Sequence, residues 1–484
     1  MSARTARRAP ILLVVAGLLA GAIALDRSES SPVKASRVAG ASTTAGAVSV
    51  PAADALSTSW YCAEGTSNAG GRADETVVVG NLSDARLDAT ITVMPGGAEV
   101  PVSQRVQVEA RGVARVRVAQ IAAVAEPGVV VEVVGGQAVV EHQITANGDV
   151  AIGPCARDAS TDWYLAAGTT VKGAQQFLVL FDPFGDDAIV DVTVLTDTGV
   201  QQPEAVQALV IPRRSRVSVP VADLVPRQTL VAVQVHARTG RVVAERSELF
   251  DGTASEGVPA RKGVALSLGV VAPAPEWQLP FGNAESGVQL TVAVANFGAT
   301  PTAVEVGIQL DGGGAVAPQN VTLPARSVVS VDVGGRVPAG SRYAVHVSVQ
   351  GGESARGGPV VVEALAWWSS PAGVGVASVM GATRPARRWV AVAPDVGSSL
   401  MLEITNPGAK PVTASLPPFF PSNERNPTSE RELAIPPARF VTAAVTSTTS
   451  LTVVQADHPV VAGLTATGRG GGVMTLAIPD YSAS

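Results

Sequence analysis

The four histidines of this 484-residue chain are the first residues to consider for chemistry, because imidazole is the commonest metal ligand in proteins. A zinc site needs three or four His, Cys or carboxylate ligands that converge on one point. The sequence contains no H-x-H, no H-E-x-x-H and no Cys/His cluster, and the histidines do not share one position in the repeats described below. We therefore expect no metal and no cofactor.

Hydrolysis would need an activated nucleophile or two carboxylates facing each other across a cleft. The chain has no G-x-S-x-G motif for a serine nucleophile. Two carboxylate candidates, Glu245 and Glu363, return at the same place in successive repeats, whereas a catalytic pair normally occurs once. We therefore predict a non-catalytic protein, with a hydrolase of unrecognised site as the weaker alternative.

Four arginines precede alternating apolar runs in turn-like tetrapeptides, and they could bind anionic glycans through their planar guanidinium groups. They are Arg111 in "EARG", Arg214 in "PRRS", Arg326 in "PARS" and Arg439 in "PARF". The alternative, which we favour, is structural: each guanidinium would donate hydrogen bonds to backbone carbonyls of its own repeat.

The chain must position these residues through internal repeats, which four of its six tryptophans mark. Trp60, Trp163, Trp277 and Trp389 stand at intervals of 103, 114 and 112 residues, about the size of one small domain. Such tryptophans could stack on sugars, but one at the same place in every repeat is better explained as a core residue.

Other features return in the same order after each tryptophan. An apolar run ends at Asn81, Asp182, Asn296 and Asn406. Asn and Asp side chains bond to the backbone two residues on, which predicts a strand stopped by a turn. The next run alternates, as in Ala89, Ile91 and Val93, which predicts a strand with one wet face. Late strands then place His142, Glu245, Glu363 and Gly463 in one column, ahead of a small closing segment.

Seven or eight short alternating strands in about 105 residues predict an all-β fold of Ig-like β-sandwiches. We predict four in tandem, at residues 45–157, 158–271, 272–383 and 384–484. The alternative is a closed, β-propeller-like ring, because "GAVSV" at 46–50 resembles a fifth closing segment that could complete the last unit.

The N-terminus has the features of an export signal: three arginines precede an uncharged apolar stretch that ends at Leu25. Residues 1–25 could be a cleaved signal peptide or a retained membrane anchor, and residues 26–44 are predicted to be a disordered spacer. Either case places the chain outside the cytoplasm, secreted or anchored. Cys62 and Cys155, the only cysteines, are then predicted to form a disulfide rather than to remain two separate thiols.

The order "W-Y-x-A-x-G-T", "N-P", "P-A-R-S" and "V-V-A-E-R" resembles a repeat of exported actinobacterial proteins grouped as a family of unknown function. Residues 163–248 match best, with "WYLAAGT", "FDP", "PRRS" and "VVAER". The third and fourth repeats have "LPFG" and "VAP" in place of A-x-G-T. The resemblance implies a β protein of the actinobacterial cell envelope and carries no catalytic residues with it.

A net charge of −6 without a basic stripe argues against nucleic-acid binding. The function we predict is an extracytoplasmic, non-catalytic scaffold that binds an unidentified envelope protein. The alternative is an array of modules that bind anionic cell-wall glycans. The membrane would be a further partner through the N-terminal segment if that segment is not cleaved.

Overall fold

The computed structural model describes residues 48–254, 260–314, 316–351, 358–370, 373–394, 399–419, 430–445, 451–468 and 471–482. The predicted export segment at 1–25 and the predicted spacer at 26–44 lie outside these residues. No helix within the described ranges is long and apolar enough to cross a membrane.

Nearly all regular elements are β-strands, and they fall into four successive groups. The first group contains β1 (Ser57–Cys62), β2 (Asp74–Asn81), β3 (Leu87–Met94), β4 (Val102–Val108), β5 (Val113–Arg117), β6 (Gly128–Val134), β7 (Ala138–Ala146) and β8 (Asp149–Pro154). The second contains β9 (Asp162–Leu165), β10 (Ala174–Asp182), β11 (Ala188–Thr196), β12 (Gly199–Gln201), β13 (Leu209–Ile211), β14 (Ser215–Pro220), β15 (Val231–Thr239), β16 (Val243–Asp251) and β17 (Lys262–Leu268).

The third group contains β18 (Glu276–Leu279), β19 (Val288–Asn296), β20 (Thr302–Leu310), β21 (Gln319–Leu323), β22 (Ser327–Asp332), β23 (Tyr343–Val349), β24 (Val361–Ser370) and β25 (Gly373–Met380). The fourth contains β26 (Ala386–Val392), β27 (Ser399–Asn406), β28 (Val412–Leu416), β29 (Arg431–Ile435), β30 (Arg439–Val445), β31 (Leu451–Gly468), β32 (Gly471–Leu476) and β33 (Ile478–Asp480). Short helical turns occur at Val118–Gln120, Glu204–Val206, Val221–Leu224 and Gly334–Arg336.

Each group forms a sandwich of two antiparallel sheets. In the first sandwich the sheet that carries Trp60 has the order β1-β6-β3-β4, and the facing sheet has the order β5-β2-β7-β8. The third sandwich repeats this as β18-β23-β20-β21 and β22-β19-β24-β25, and the second differs by splitting one edge strand into β12 and β13. In the fourth, the long strand β31 pairs with members of both sheets. The prediction of tandem β-sandwiches is confirmed.

The propeller alternative is wrong, because a propeller blade is one sheet and each repeat here has two. None of the sheets formed by the described strands closes on itself.

The four sandwiches nevertheless meet around one axis. In each sandwich, one sheet has an edge strand that lies next to this axis. These edge strands are β8, β17, β25 and β32, and each is called here an axial strand. β17 contacts β8 and β25, and β32 contacts β25 and β8, so the four axial strands close a cycle of contacts. Each sandwich therefore touches the one before it and the one after it, and the contact between two successive sandwiches is called a seam.

The tryptophans occupy equivalent places in the sandwich cores. Trp60, Trp163 and Trp277 have no exposed surface, and Trp389 is 1% exposed. The indole N–H groups of the last three donate to the carbonyls of Val242, Val360 and Val460, at 2.6, 2.9 and 2.8 Å. Val242 and Val360 directly precede β16 and β24, and Val460 lies within the long strand β31, so each indole is bonded to the backbone of a late strand of its own sandwich.

The predicted Asx turns are present in all four sandwiches. The side-chain oxygens of Asn81, Asp182, Asn296 and Asn406 accept the backbone N–H two residues on, at 2.9, 2.8, 2.9 and 2.9 Å. A single Asn or Asp side chain therefore accepts the hydrogen bond that stabilises each turn between two successive strands.

Cys62 and Cys155 form the predicted disulfide, which joins positions 93 residues apart. Cys62 ends β1 and Cys155 follows β8, and their neighbours Tyr61 and Ala156 exchange two backbone hydrogen bonds of 2.7 and 2.9 Å. The bridge therefore fastens the first and last strands of the first sandwich. In the chain-entropy model a loop of this length stabilises the fold by about 4–5 kcal/mol.

Candidate functional site

Buried charged side chains collect at the seams, and the sheet register shows how they are related. Glu141, Glu245, Glu363 and Gly463 pair with Pro154, Leu268, Met380 and Leu476 on the four axial strands. The column predicted from sequence is therefore wrong by one residue in the first sandwich, where Glu141 and not His142 corresponds to Glu245. The error arose because "VVEH" and "VVAE" can be aligned in two ways when strand pairing is unknown.

The seam between the first and second sandwiches is built on Glu245. Its Oε2 accepts the backbone N–H of Glu64, in the loop after the Trp60 strand, at 2.7 Å. The same oxygen lies 3.3 Å from Nε2 of His142, whose Nδ1 lies 3.2 Å from Glu75. Burial opposes the charged imidazole, but Glu245 and Glu75 together raise the pKa of His142 to about 10. His142 is therefore an imidazolium held between two buried carboxyl groups.

Arg216 adds a second contact across this seam. Its guanidinium is buried and Nη1 donates to the carbonyls of Ala63, Gly65 and Pro127, at 2.9, 2.6 and 3.2 Å. An arginine of the second sandwich thereby binds the backbone of the first at three points. This arginine lies two residues after the predicted Arg214, and its burial could not be seen in the sequence.

Glu363 makes the equivalent contact between the second and third sandwiches. One oxygen accepts the N–H groups of Ala166 and Ala167, at 3.0 and 2.8 Å, in the loop after the Trp163 strand. Arg246 binds both carboxylate oxygens, at 3.1 and 2.7 Å. The hydroxyls of Ser267 and Ser378 donate to Oε1, at 2.6 and 2.8 Å. The carboxylate is thus fully enclosed by donors from two sandwiches.

The seam between the third and fourth sandwiches replaces this carboxylate by an aromatic ring. Gly463 occupies the column, and Phe281 from the "LPFG" loop of the third sandwich lies against it. A Cβ atom at Gly463 would stand 2.3 Å from Cζ of Phe281. The loss of A-x-G-T in the third repeat is therefore matched by the loss of the carboxylate in the fourth.

We expect Gly463→Ala to lower the free energy of unfolding by about 1–3 kcal/mol, because overpacking displaces the Phe281 ring. Urea denaturation of the purified protein measures the change. The double variant Phe281→Ala/Gly463→Ala is the control, since removal of the ring should make the added methyl group harmless. If Gly463→Ala lowered the free energy of unfolding equally in the wild-type protein and in the Phe281→Ala variant, contact with the Phe281 ring would not be the cause of the destabilisation.

The seam that closes the ring, between the fourth and first sandwiches, differs again. Val78 and Val139 pack against Val390 and Val392. Glu141 holds the column position, and neither of its oxygens has a hydrogen-bond partner among the described residues. Burial raises the pKa of Glu141 to about 8, against the opposing charges of Arg115 and His142. This carboxyl group is therefore mostly protonated at neutral pH.

The turns that hold the arginine column make the same contact in all four sandwiches, and they make it through a backbone N–H group. Arg111, Arg214 and Arg326 have left-handed backbone, with φ of 56, 52 and 50°, whereas in the fourth sandwich that residue is Ala438. The N–H of each donates to the Asx turn of its own sandwich, at 3.0 to 3.1 Å.

The arginine side chains make different contacts from those expected. Arg111 donates to the Asp84 carboxylate at 2.6 Å, and Arg439 donates to the carbonyl of Gly314 in the third sandwich at 2.9 Å. Arg214 and Arg326 are exposed. Among the described residues, neither side chain is bonded to a carbonyl of its own sandwich, and the bond to the Asx turn comes from the backbone N–H of Arg111 and of Ala438.

The histidines lie apart except where His142 approaches the disulfide. The ligand atoms of Cys62, His142 and Cys155 lie within 4.8 Å of one another, which is close enough to share a metal. The two sulfurs are bonded to each other, and carboxyl groups flank both nitrogens of His142. These groups are thus already engaged with one another in the oxidised protein.

Asp149 lies where the four axial strands begin. Its Oδ2 accepts the N–H groups of Val264 and Val376, each at 3.2 Å, and the N–H of Gly472 adds to them. One carboxyl group of the first sandwich therefore binds the axial strands of the other three. Burial nevertheless raises the pKa of Asp149 to about 7.

Replacement of Asp149 by asparagine is expected to flatten the pH dependence of stability. The native group has a pKa of about 7 and the unfolded group about 3.9, so between these values the folded protein binds the extra proton. Stability contributed by the proton is present below about pH 4 and is lost as the pH rises to 7. Chemical denaturation at pH 4.5 and 7.5 measures the difference, with exposed Asp54→Asn as the control. Parallel curves for Asp149→Asn and the wild type would contradict this expectation.

Beyond Asp149 the axial strands enclose a cavity of about 140 Å³, called here the axial cavity. All four contribute walls, including Ile152, Leu266, Met380 and Met474, and none of the lining residues is charged. Val48 also lines it. The cavity leaves no signature in the sequence, because each closing segment forms only part of its wall.

Comparison with known proteins gives a family without an assigned activity. Residues 150–260, which run from within β8 through β16 of the second sandwich, match a family of unknown function (DUF5719). No curated protein matches the chain. The crystal structure of Thermotoga maritima 1070 is similar over 23% of this chain and 94% of its own, at 12% identity and a TM-score of 0.20. At that TM-score the likeness supports no conclusion about this chain.

Proposed function

We propose that the protein is a non-catalytic component of the cell envelope, outside the cytoplasm, whose ring of β-sandwiches presents a fixed surface to a protein partner. The observation that carries the proposal is the seam, in which Glu245 and Glu363 bind the backbone of the preceding sandwich. Recurring charged residues thus hold the sandwiches in place. The arginines and apolar stretch of residues 1–25, and the resemblance to exported actinobacterial proteins, support the location.

A partner would find exposed apolar side chains on the first sandwich. Leu56 is 91% exposed and Val134 is 70% exposed. The two are neighbours, because the N–H of Gly135 donates to the carbonyl of Leu56 at 2.8 Å. Exposed apolar side chains that lie together favour a protein contact over a purely solvated surface.

Site-specific photo-crosslinking in intact cells of the native organism tests the proposal. A photoreactive amino acid at Leu56 or Val134 is expected to give one discrete protein adduct. The matched control is Val200, which is 37% exposed on the second sandwich. Identical products from all three positions, or no adduct from the first two, would contradict a protein-binding surface on the first sandwich.

A second candidate is binding of anionic cell-wall glycans, which the exposed side chains of Arg214 and Arg326 favour. Arginine binds carboxylate and phosphate groups with two parallel hydrogen bonds, whereas lysine does not. Arg214→Lys should then weaken salt-sensitive retention of wall polysaccharide without changing the melting temperature. A variant that melts earlier and retains polysaccharide normally would make this arginine structural.

A further inference from the structure

The axial cavity has apolar walls, and its two ends differ in the residues that form them. The axial strands rise about 3.3 Å per residue. The first wall residue of the cavity in β8 lies three residues after Asp149, which is roughly 10 Å along the strand. At the Asp149 end, the axis is filled by the buried carboxyl group and by the axial-strand backbones that bind it. A ligand would therefore enter from the opposite end.

That opposite end is the mouth of the cavity, formed by residues that are only half-buried. They are Val48, Pro154, Val270, Thr383 and Tyr481. Pro154 is the last residue of β8, and Val270 and Thr383 follow the ends of β17 and β25, on the side away from Asp149. The mouth is thus the part of the wall where substitution disturbs the sandwich cores least.

The size and chemistry of the cavity select an apolar group. Its volume of about 140 Å³ is close to that of an engineered apolar cavity of about 150 Å³ that binds benzene. The hydroxyls of Ser267 and Ser378, which also line it, already donate to Glu363. The walls therefore offer dispersion contacts to a hydrocarbon and no free charge.

Arginines stand beside the mouth. Arg384 follows Thr383, and its guanidinium lies 4.7 Å from the centre of the Tyr481 ring. Arg157 donates to the hydroxyl of Ser49, next to Val48, at 3.1 Å.

Two acidic groups lie near these arginines. Asp158 is exposed beside Arg157, and Asp480 is paired with Arg388 at 2.8 Å. Because Asp480 is already engaged, Arg384 is the cation best placed to meet an anion above the mouth.

We propose that the axial cavity binds the hydrocarbon chain of an anionic amphiphile, with the chain end inside the cavity and the charged head group beside Arg384. The carboxylate of a fatty acid and the phosphate of a lipid share this chemistry. The site belongs to no single sandwich, since it exists only when all four axial strands are assembled.

Isothermal titration of the full-length protein with dodecanoate and dodecyl phosphate, below their micelle concentrations, tests the proposal and separates the two head groups. Dodecanol carries the same chain without charge. We expect saturable binding of at least one anion at one site per chain. Arg384→Gln should weaken that anion about tenfold and leave dodecanol unchanged. A wild-type protein that binds neither anion would overturn the proposal.

Val270→Trp should block the mouth and weaken binding more than tenfold, whereas Val200→Trp, a matched change remote from the axis, should not. Thr383→Trp serves the same purpose if Val270→Trp lowers the yield of folded protein. Equal affinities for the mouth variants and the Val200→Trp control would place the bound chain elsewhere and overturn the assignment. An Arg384→Gln effect of equal size on dodecanol would overturn the head-group position.

Discussion

Replacement of Arg246 by alanine is expected to lower the free energy of unfolding by about 3–5 kcal/mol, because it leaves the buried Glu363 carboxylate without its charged partner. Arg246 is 1% exposed and Glu363 has no exposed surface, so water cannot replace the lost bonds. Guanidinium chloride denaturation followed by tryptophan fluorescence measures the change.

The matched control is Arg238→Ala, which removes an exposed arginine paired with Asp191 at 2.6 Å. Exposed ion pairs contribute little to stability, so this variant should unfold at nearly the wild-type midpoint. If Arg246→Ala behaved like Arg238→Ala, the seam between the second and third sandwiches would not depend on this ion pair.

Truncation of Trp163 to alanine should also destabilise the protein by about 3–5 kcal/mol, through the cavity left in the core of the second sandwich. The variant also leaves the carbonyl of Val242 without its 2.6 Å hydrogen bond from the indole. Thermal melting of the variant tests this. Leu56→Ala is the control, because that side chain is 91% exposed and its removal creates no cavity. Unchanged melting of Trp163→Ala with loss of polysaccharide binding would instead make Trp163 a sugar-stacking residue.

The features that sequence analysis predicted are those that a short segment determines by itself. Asn81 and its three counterparts carry the acceptor for their own turns, so the turn follows from one residue type. Alternation of Ala89, Ile91 and Val93 fixes which side chains enter the core, and all three are buried. The number of sandwiches and their strands could therefore be read from local patterns.

The seams could not be predicted, because periodicity shows that one face is covered without showing what covers it. His142 and Glu141 are adjacent, and only the pairing of Glu141 with Pro154 decides which of them lies in the column. Arg216 looks like one more surface arginine until the loop at Ala63 is brought against it. Contacts between sandwiches join residues that are far apart in the sequence, and no single repeat contains both partners.

The loop after the tryptophan strand of one sandwich contacts a specific residue of the next sandwich, and this limits how the four repeats can be rearranged. The loop at Ala166 and Ala167 offers two N–H donors that suit the carboxylate of Glu363, while the loop at Phe281 offers a ring that suits Gly463. Deleting the third repeat would bring the donors of the second against Gly463, which has no acceptor side chain. Shuffling or deletion of repeats would therefore separate these loops from the residues that they contact in this chain.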